Sequence, residues 1–210
     1  MTEADARAEI VKWGRSLFER SLTPGSSGNI SVKLADGYLV TPTNSCLGFL
    51  EAASISKLDG TGEHLSGAQP TKELPLHLAF YQARPTAGAV VHLHSTYATL
   101  LACLADVDPD DAIPPITPYA VMRLGRVPIV QYFRPGSAEI VPAILASAAT
   151  QAVLLLANHG PVAAGASLEA AMFAIEELEE TAKLVFLTRQ MPVRTLDRAA
   201  IDDLNATFRL

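Results

Sequence analysis

The sequence predicts a single α/β domain, and three observations carry that expectation. Its 210 residues fall within single-domain range, and at 49% hydrophobic against 18% charged they can bury a sizeable core. Two stretches, Glu3 to Arg20 and Ser167 to Arg189, repeat apolar residues at helical spacing. Between them, short apolar runs such as residues 89–94 and 152–157 have strand length and are bounded by turn residues. The domain is expected to span residues 1–210, with 191–210 a C-terminal tail carrying one short helix.

Charge and composition exclude several classes. A formal net charge of −6, with no stripe of Lys and Arg, argues against a nucleic-acid or anionic-membrane partner. The N-terminus lacks a basic segment followed by an apolar run, and no stretch approaches the ~18 apolar residues of a membrane span, so a cytoplasmic location is expected. Cys46 and Cys103 show no metal or redox spacing and are expected to be buried thiols.

In chain order, Ala6, Ile10, Trp13, Leu17 and Phe18 give the opening helix its apolar face, and Thr23-Pro24-Gly25 stops it. Gly25-Ser26-Ser27-Gly28-Asn29 is either a simple turn or a phosphate-cradling loop of backbone N–H groups and hydroxyls. It runs into a strand with Ile30, Val32 and Leu34 inward, which the Asp36-Gly37 turn joins to a second strand, 38–41. That strand ends in the polar tip Thr41-Pro42-Thr43-Asn44. Residues 55–67 read as a further hairpin, turning at Asp59-Gly60-Thr61-Gly62, with His64 on the surface.

Thr71 is expected to cap a helix that starts with Lys72 and Glu73 and ends at Arg84-Pro85, because Pro75 is tolerated only in a first turn. Glu73 there is either a complement to the helix dipole or an acid aimed at a site. His77, one turn on, is either its partner or a core residue. Residues 95–103 read as a short helix, 127–130 as a strand and 140–150 as a helix. The Pro-rich segment 113–119 is expected to be non-helical, with Tyr119 exposed. In the Ser167–Arg189 helix, the Glu176, Glu177, Glu179 and Glu180 cluster reads as a solvated or subunit-facing edge.

The chemistry centres on Ala89-Val90-Val91-His92-Leu93-His94. Residues two apart on a strand share a face, so His92 and His94 converge while Val91 and Leu93 pack behind them. Taken alone they are either two hydrogen-bonded core histidines or half of a metal site with one position left open. His159 follows the apolar strand 152–157 and precedes Gly160-Pro161, where it either caps the strand or joins a site.

Together, Ser-Ser-Gly-Asn at 26–29, Thr-Pro-Thr-Asn at 41–44, Lys-Glu at 72–73, His-Leu-His-Ser at 92–95 and Asn-His-Gly at 158–160 resemble the class II aldolase/adducin family in order and interval. The similarity runs from about residue 5 to residue 190. It implies a three-layer α/β/α fold around a mostly antiparallel sheet, in a homotetramer with active sites between subunits. It also implies a divalent metal, zinc first with manganese, cobalt or iron as alternatives, on His92, His94 and His159. Glu73 would be acid/base and a possible fourth ligand. Ser27, Gly28, Asn29, Thr43, Asn44 and Thr71 would form a phosphate pocket, and Tyr119 would assist from a neighbouring subunit.

Thr-Pro-Thr-Asn-x-x-Leu-Gly-Phe-Leu at 41–50, Pro-Thr-Lys-Glu at 70–73 and Glu-Glu-Leu-Glu-Glu-Thr-Ala-Lys at 176–183 resemble most the family's decarboxylases of 3-oxo-tetronate 4-phosphates. The implied reaction converts 3-dehydro-4-phosphotetronate to dihydroxyacetone phosphate and CO₂ through a metal-stabilised enediolate. Sugar-phosphate aldol cleavage or epimerisation on the same scaffold is the alternative, and a non-catalytic adducin-like interaction domain a third. Fuculose-phosphate type aldolases carry Ser-Ser-Glu where this chain has Thr71-Lys72-Glu73. Lys72 is then either a point charge for a substrate carboxylate or phosphate, or a lysine extended into solvent.

Overall fold

The computed structural model describes residues 2–208. Strands β1 (Asn29–Leu34), β2 (Gly37–Val40), β3 (Ser56–Asp59), β4 (His64–Ser66), β5 (Ala89–His92), β6 (Ile129–Val130), β7 (Val153–Leu156) and β8 (Gly160–Gly165) form one sheet in the order β4-β3-β2-β1-β5-β8-β7-β6. Every pairing is antiparallel except β6 on β7, so the mostly antiparallel sheet implied by the resemblance is present. Helices α1 (Glu3–Glu19), α2 (Leu74–Ala83), α3 (Thr96–Cys103), α4 (Pro118–Leu124), α5 (Val141–Ala148), α6 (Leu168–Thr188) and α7 (Arg198–Phe208) accompany it.

The three layers follow from the two-residue period of the central strands, whose alternate side chains feed opposite cores. Val91, Val153, Leu155 and Ala163 pack with Ile10 and Leu17 of α1 and with Met172, Ile175 and Leu178 of α6. Val90, Leu154, Leu156, Val162 and Ala164 pack instead with Leu76 and Phe80 of α2 and Ile144 of α5. Each such fully buried aliphatic or aromatic side chain contributes roughly 1.5–3 kcal/mol. The central strands β5, β7 and β8 are therefore apolar on both faces through most of their length, which leaves their ends for polar chemistry.

Several boundaries differ from the sequence expectation. The double-histidine strand ends at His92, where pairing with β1 and β8 stops. Helix α2 begins at Leu74, leaving Glu73 at the N-cap position with no side-chain capping bond, while Thr71 Oγ1 accepts from the Glu73 N–H at 3.3 Å. The Pro-rich segment is non-helical over 113–117 as expected, but its last two residues, Pro118 and Tyr119, open a helix, because Thr117 Oγ1 accepts from the Ala120 N–H and Pro118 fits a first turn that needs no donor. Only Ile129 and Val130 of the expected 127–130 strand join the sheet, and the expected helix at 140–150 is regular over Val141–Ala148.

Two burial expectations also change. Cys103 is exposed at the end of α3 and Cys46 is half-buried. Glu179 is buried, not solvated: its two carboxylate oxygens accept from the N–H groups of Tyr97 and Ala98 at 2.9 Å, satisfying the first turn of α3. Glu176, from the same cluster, pairs with Arg20. No helix among the described residues is long and apolar enough to cross a membrane.

Candidate metal centre

Four side chains meet at one end of the sheet. His92 closes β5 and is fully buried, and His94 follows two residues on. His159 sits in the tight turn from β7 to β8, where Asn158 takes φ 56° and the His159 N–H donates to the Leu156 carbonyl at 3.0 Å. Only glycine fits after it, since a Cβ at Gly160 would lie 2.3 Å from the Leu93 carbonyl oxygen. Glu73 arrives from the start of α2, 7% exposed.

Nε2 of His92 lies 3.2 Å from Nε2 of His94 and 3.3 Å from Nε2 of His159. Glu73 Oε2 is 3.5 Å from His92 Nε2, and Oε1 is 3.4 Å from His159 Nε2. One donor atom from each of the four lies within 4.8 Å of the others. The carbonyl of Pro161 can only accept, so the 2.8 Å contact to His92 Nδ1 places the ring hydrogen there and leaves Nε2 with a bare lone pair. Nitrogens bound at ~2.0–2.1 Å around a tetrahedral ion stand roughly 3.3–3.4 Å apart, the spacing observed here. The residues present therefore fit a divalent cation.

Electrostatics agree with a ligand set. Burial pushes His92 down to about 3, because charging an imidazole in an apolar setting is costly. His94 and His159 are lowered by the same cause, then by neighbouring positive charge. Neutral rings are the form that ligates a metal. For Glu73, burial resists ionisation, while coupling to His92 and His159, which acts only when those rings carry charge, and a hydrogen bond from Asn29 hold the carboxyl below its usual value.

A cleft of about 310 Å³ opens beside the cluster, lined by Glu73, His94 and His159. Its opposite wall is built from Ser27, Gly28 and Asn29 of the first polar loop and from Thr43 and Asn44 of the second, with Thr71 and Lys72 between them. All six candidate phosphate-pocket residues and Lys72 thus share one cavity with Glu73, His94 and His159. Gly28 is required: its φ is 79°, and a Cβ would press to 3.1 Å on the His92 carbonyl oxygen, Leu93 and Thr23. Lys72 is exposed. Asn29 is buried, its Nδ2 donating to Glu73 Oε2 at 2.8 Å.

Tyr119 is not brought to the cleft. It lies near the start of α4, 57% exposed, with the Arg123 guanidinium 5.9 Å from its ring centre. Two features escaped the sequence reading. Pro135 lines the cleft, and the next residue, Gly136, packs so closely on Lys72 that a Cβ would meet the Lys72 carbonyl oxygen at 3.0 Å. His77, left open between partner and core, is fully buried and reaches Glu73 only through Asn29. The sole sequence signal for it is the four-residue step from Glu73.

A three-layer fold with three imidazoles and a carboxylate gathered at one sheet end is an arrangement that could hold a divalent cation. The chain belongs to the class II aldolase and adducin family, whose Class II Aldolase and Adducin N-terminal domain pattern matches residues 8–186. It is 49% identical over 205 residues to a 3-oxo-tetronate 4-phosphate decarboxylase of Pectobacterium atrosepticum, covering 97% of this chain and 94% of the relative. An L-fuculose phosphate aldolase of Methanocaldococcus jannaschii is 35% identical over 181 residues, covering 86% of this chain and 96% of the relative. The crystal structure of Escherichia coli YgbL, described as an aldolase, epimerase or decarboxylase, superposes with a TM-score of 0.94 at 46% identity. It covers 96% of this chain and 98% of that one.

Proposed function

We propose that the chain is a metal-dependent carbon–carbon lyase that decarboxylates a phosphorylated 3-oxo sugar acid, 3-dehydro-4-phosphotetronate, to dihydroxyacetone phosphate and CO₂. The observation that carries this reading is one cleft lined both by Glu73, His94 and His159 of the four-residue cluster and by the hydroxyl- and amide-rich loops at 27–29 and 43–44. The decarboxylase relative at 49% identity supports CO₂ as the leaving group. The 35% identical aldolase supports the second reading, aldol cleavage, which shares the enediolate and releases an aldehyde instead.

His92, His94 and His159 would hold the metal, with Glu73 a possible fourth ligand; three imidazoles and a carboxylate suit zinc, and manganese, cobalt or iron fill the same set. When bound, the cation supplies Lewis-acid stabilisation for negative charge developing on the substrate's carbonyl oxygen. Ser27, Gly28, Asn29, Thr43, Asn44 and Thr71 cradle the phosphate with N–H and O–H donors. Lys72, at the exposed edge of the cleft, offers a point charge to the substrate's carboxylate or phosphate. Loss of CO₂ leaves its bonding pair on the enediolate carbon, and Glu73 delivers the proton that completes the product. Because its surroundings favour the carboxylate, Glu73 takes up that proton within the catalytic cycle.

The working assembly in this reading is a homotetramer in which Tyr119, exposed on α4, serves a neighbouring subunit's cleft. Incubating metal-reconstituted protein with phosphorylated 3-oxo acids tests the reaction. Stoichiometric CO₂ and dihydroxyacetone phosphate are expected, whereas release of an aldehyde without CO₂ from a sugar phosphate would establish the aldolase instead.

A further inference from the structure

Beneath the cluster runs a line of buried polar side chains, and three of them, Ser31, His77 and Tyr81, are left unused by the proposed chemistry. Asn29 and Ser31 are two apart on β1 and share a face, while Glu73, His77 and Tyr81 follow one another at four-residue steps from the cap into α2. The two rows interleave. Asn29 Nδ2 donates to Glu73 Oε2 at 2.8 Å, and Asn29 Oδ1 is 2.5 Å from His77 Nε2. Ser31 Oγ is 2.7 Å from His77 Nδ1 and 2.8 Å from the Tyr81 hydroxyl. None of these five residues is more than 7% exposed.

Donor and acceptor chemistry allows this chain one direction. The Asn29 carbonyl oxygen only accepts, so His77 must carry its hydrogen on Nε2. Burial pushes His77 down to about 4, so the ring is neutral and Nδ1 is a bare acceptor for the Ser31 hydroxyl. Ser31, having spent its only hydrogen, accepts from Tyr81. The Tyr38 ring, 4.9 Å from that of Tyr81 between centres, packs against the far end. Reversing any one bond would leave two donors or two acceptors facing each other in a buried site, which costs more than the bond itself contributes.

We propose that His77, Ser31 and Tyr81 are positioning residues: through Asn29 they orient the Glu73 carboxylate, holding Oε2 as an acceptor and leaving Oε1, the oxygen beside His159, as the atom that exchanges a proton with substrate. The proposal rests on reading Glu73 as the acid/base. In the protonation step the Oε1–H bond breaks as a C–H bond forms on the enediolate carbon, leaving a carboxylate that regains its proton from water. The relay itself transfers nothing. It sets which oxygen does.

Nitrogen NMR of histidine-labelled, zinc-loaded protein reads the His77 tautomer directly. The Nε2–H form is expected in the wild type, and an Nδ1–H or doubly protonated ring at neutral pH overturns the proposal. Ser31→Ala strips Nδ1 of its donor while Asn29 still holds the hydrogen on Nε2, so an unchanged tautomer with a displaced Nδ1 resonance and a ~10-fold lower kcat with KM nearly unchanged are expected. Ser31→Thr retains the hydroxyl and is expected to restore both. A Ser31→Ala protein with a displaced Nδ1 resonance and wild-type kcat removes the positioning role, and Tyr81→Phe provides the same comparison if Ser31→Ala does not fold. Glu73→Gln separates the two layers of inference. If that variant turns over at the wild-type rate, the acid/base reading itself fails; if it is inactive while Ser31→Ala and Tyr81→Phe are not slowed, the relay alone fails.

Discussion

Nδ1 of His92 donates to the carbonyl oxygen of Pro161 at 2.8 Å, across the β5–β8 pairing, and so turns a lone pair on Nε2 toward His94 and His159. A backbone carbonyl in this role fixes both the tautomer and the ring plane, and such outer contacts are typically worth ~10–100-fold in metal affinity. Removing an imidazole itself costs at least as much. His92→Ala and His94→Ala are therefore each expected to lose more than ~10-fold in metal affinity and to lose turnover with it, measured by metal content after dialysis and by binding titration. Full occupancy with unchanged turnover in either variant would take the cluster out of the mechanism.

Glu73→Gln keeps the shape of the side chain and an oxygen for the Asn29 donor, but cannot carry a proton. A fall in kcat of ~10²–10⁴ is expected, with KM little changed, since positioned acid/base groups contribute about that much. Metal content of the same preparation separates loss of the acid from loss of a ligand. Wild-type turnover in the glutamine variant would remove Glu73 from catalysis.

How much of this was legible in the sequence depends on whether the signal was local. The pairing of His92 with His94 was visible because a strand repeats every two residues, and the alternation persists although regular pairing ends at His92. The strand at 152–157 was visible as an apolar run, but that Val153 and Leu155 feed one core while Leu154 and Leu156 feed the other shows only in the fold. Glu73 could be placed near a helix start because Pro75 allows nothing else, yet a cap and a first-turn residue differ by one position, and that position decides where the carboxylate points. The contact of His77 with Asn29 joins residues 48 apart, and it exists only because β1 lies under α2. The Pro135–Gly136 approach to Lys72 is equally non-local. Helix α4 was hidden by its prolines, because Pro118 reads as a breaker until Thr117 is known to cap it.

Lys72 is exposed at the cleft. A charge-assisted hydrogen bond to a substrate anion is worth roughly 1.5–3 kcal/mol, which corresponds to ~10–100-fold. Lys72→Ser is expected to lower kcat/KM for the phosphorylated 3-oxo acid by that factor while leaving metal content unchanged. Steady-state kinetics with the phosphorylated and dephosphorylated acids show which anion the lysine meets. If the loss persists without the phosphate, the partner is the carboxylate; if it vanishes, the partner is the phosphate; unaltered kinetics on both would show that it binds neither.

The buried His77 also makes stability depend on pH. Its pKa falls from ~6.5 in an unfolded chain to about 4 in the fold, chiefly through burial. Between those values the unfolded chain binds the extra proton, so stability is fully present above pH ~6.5 and is lost as pH falls toward 4, by about 3 kcal/mol for this one group. His92, pushed down to about 3, acts in the same direction, so the wild-type slope contains more than one histidine. Comparison with His77→Gln isolates the share of His77. Urea unfolding of metal-free wild type and variant at pH 7.5 and pH 5 is expected to show a smaller loss on acidification for the variant, by about 2 kcal/mol. Equal losses in the two proteins would mean that the fold does not lower the pKa of His77.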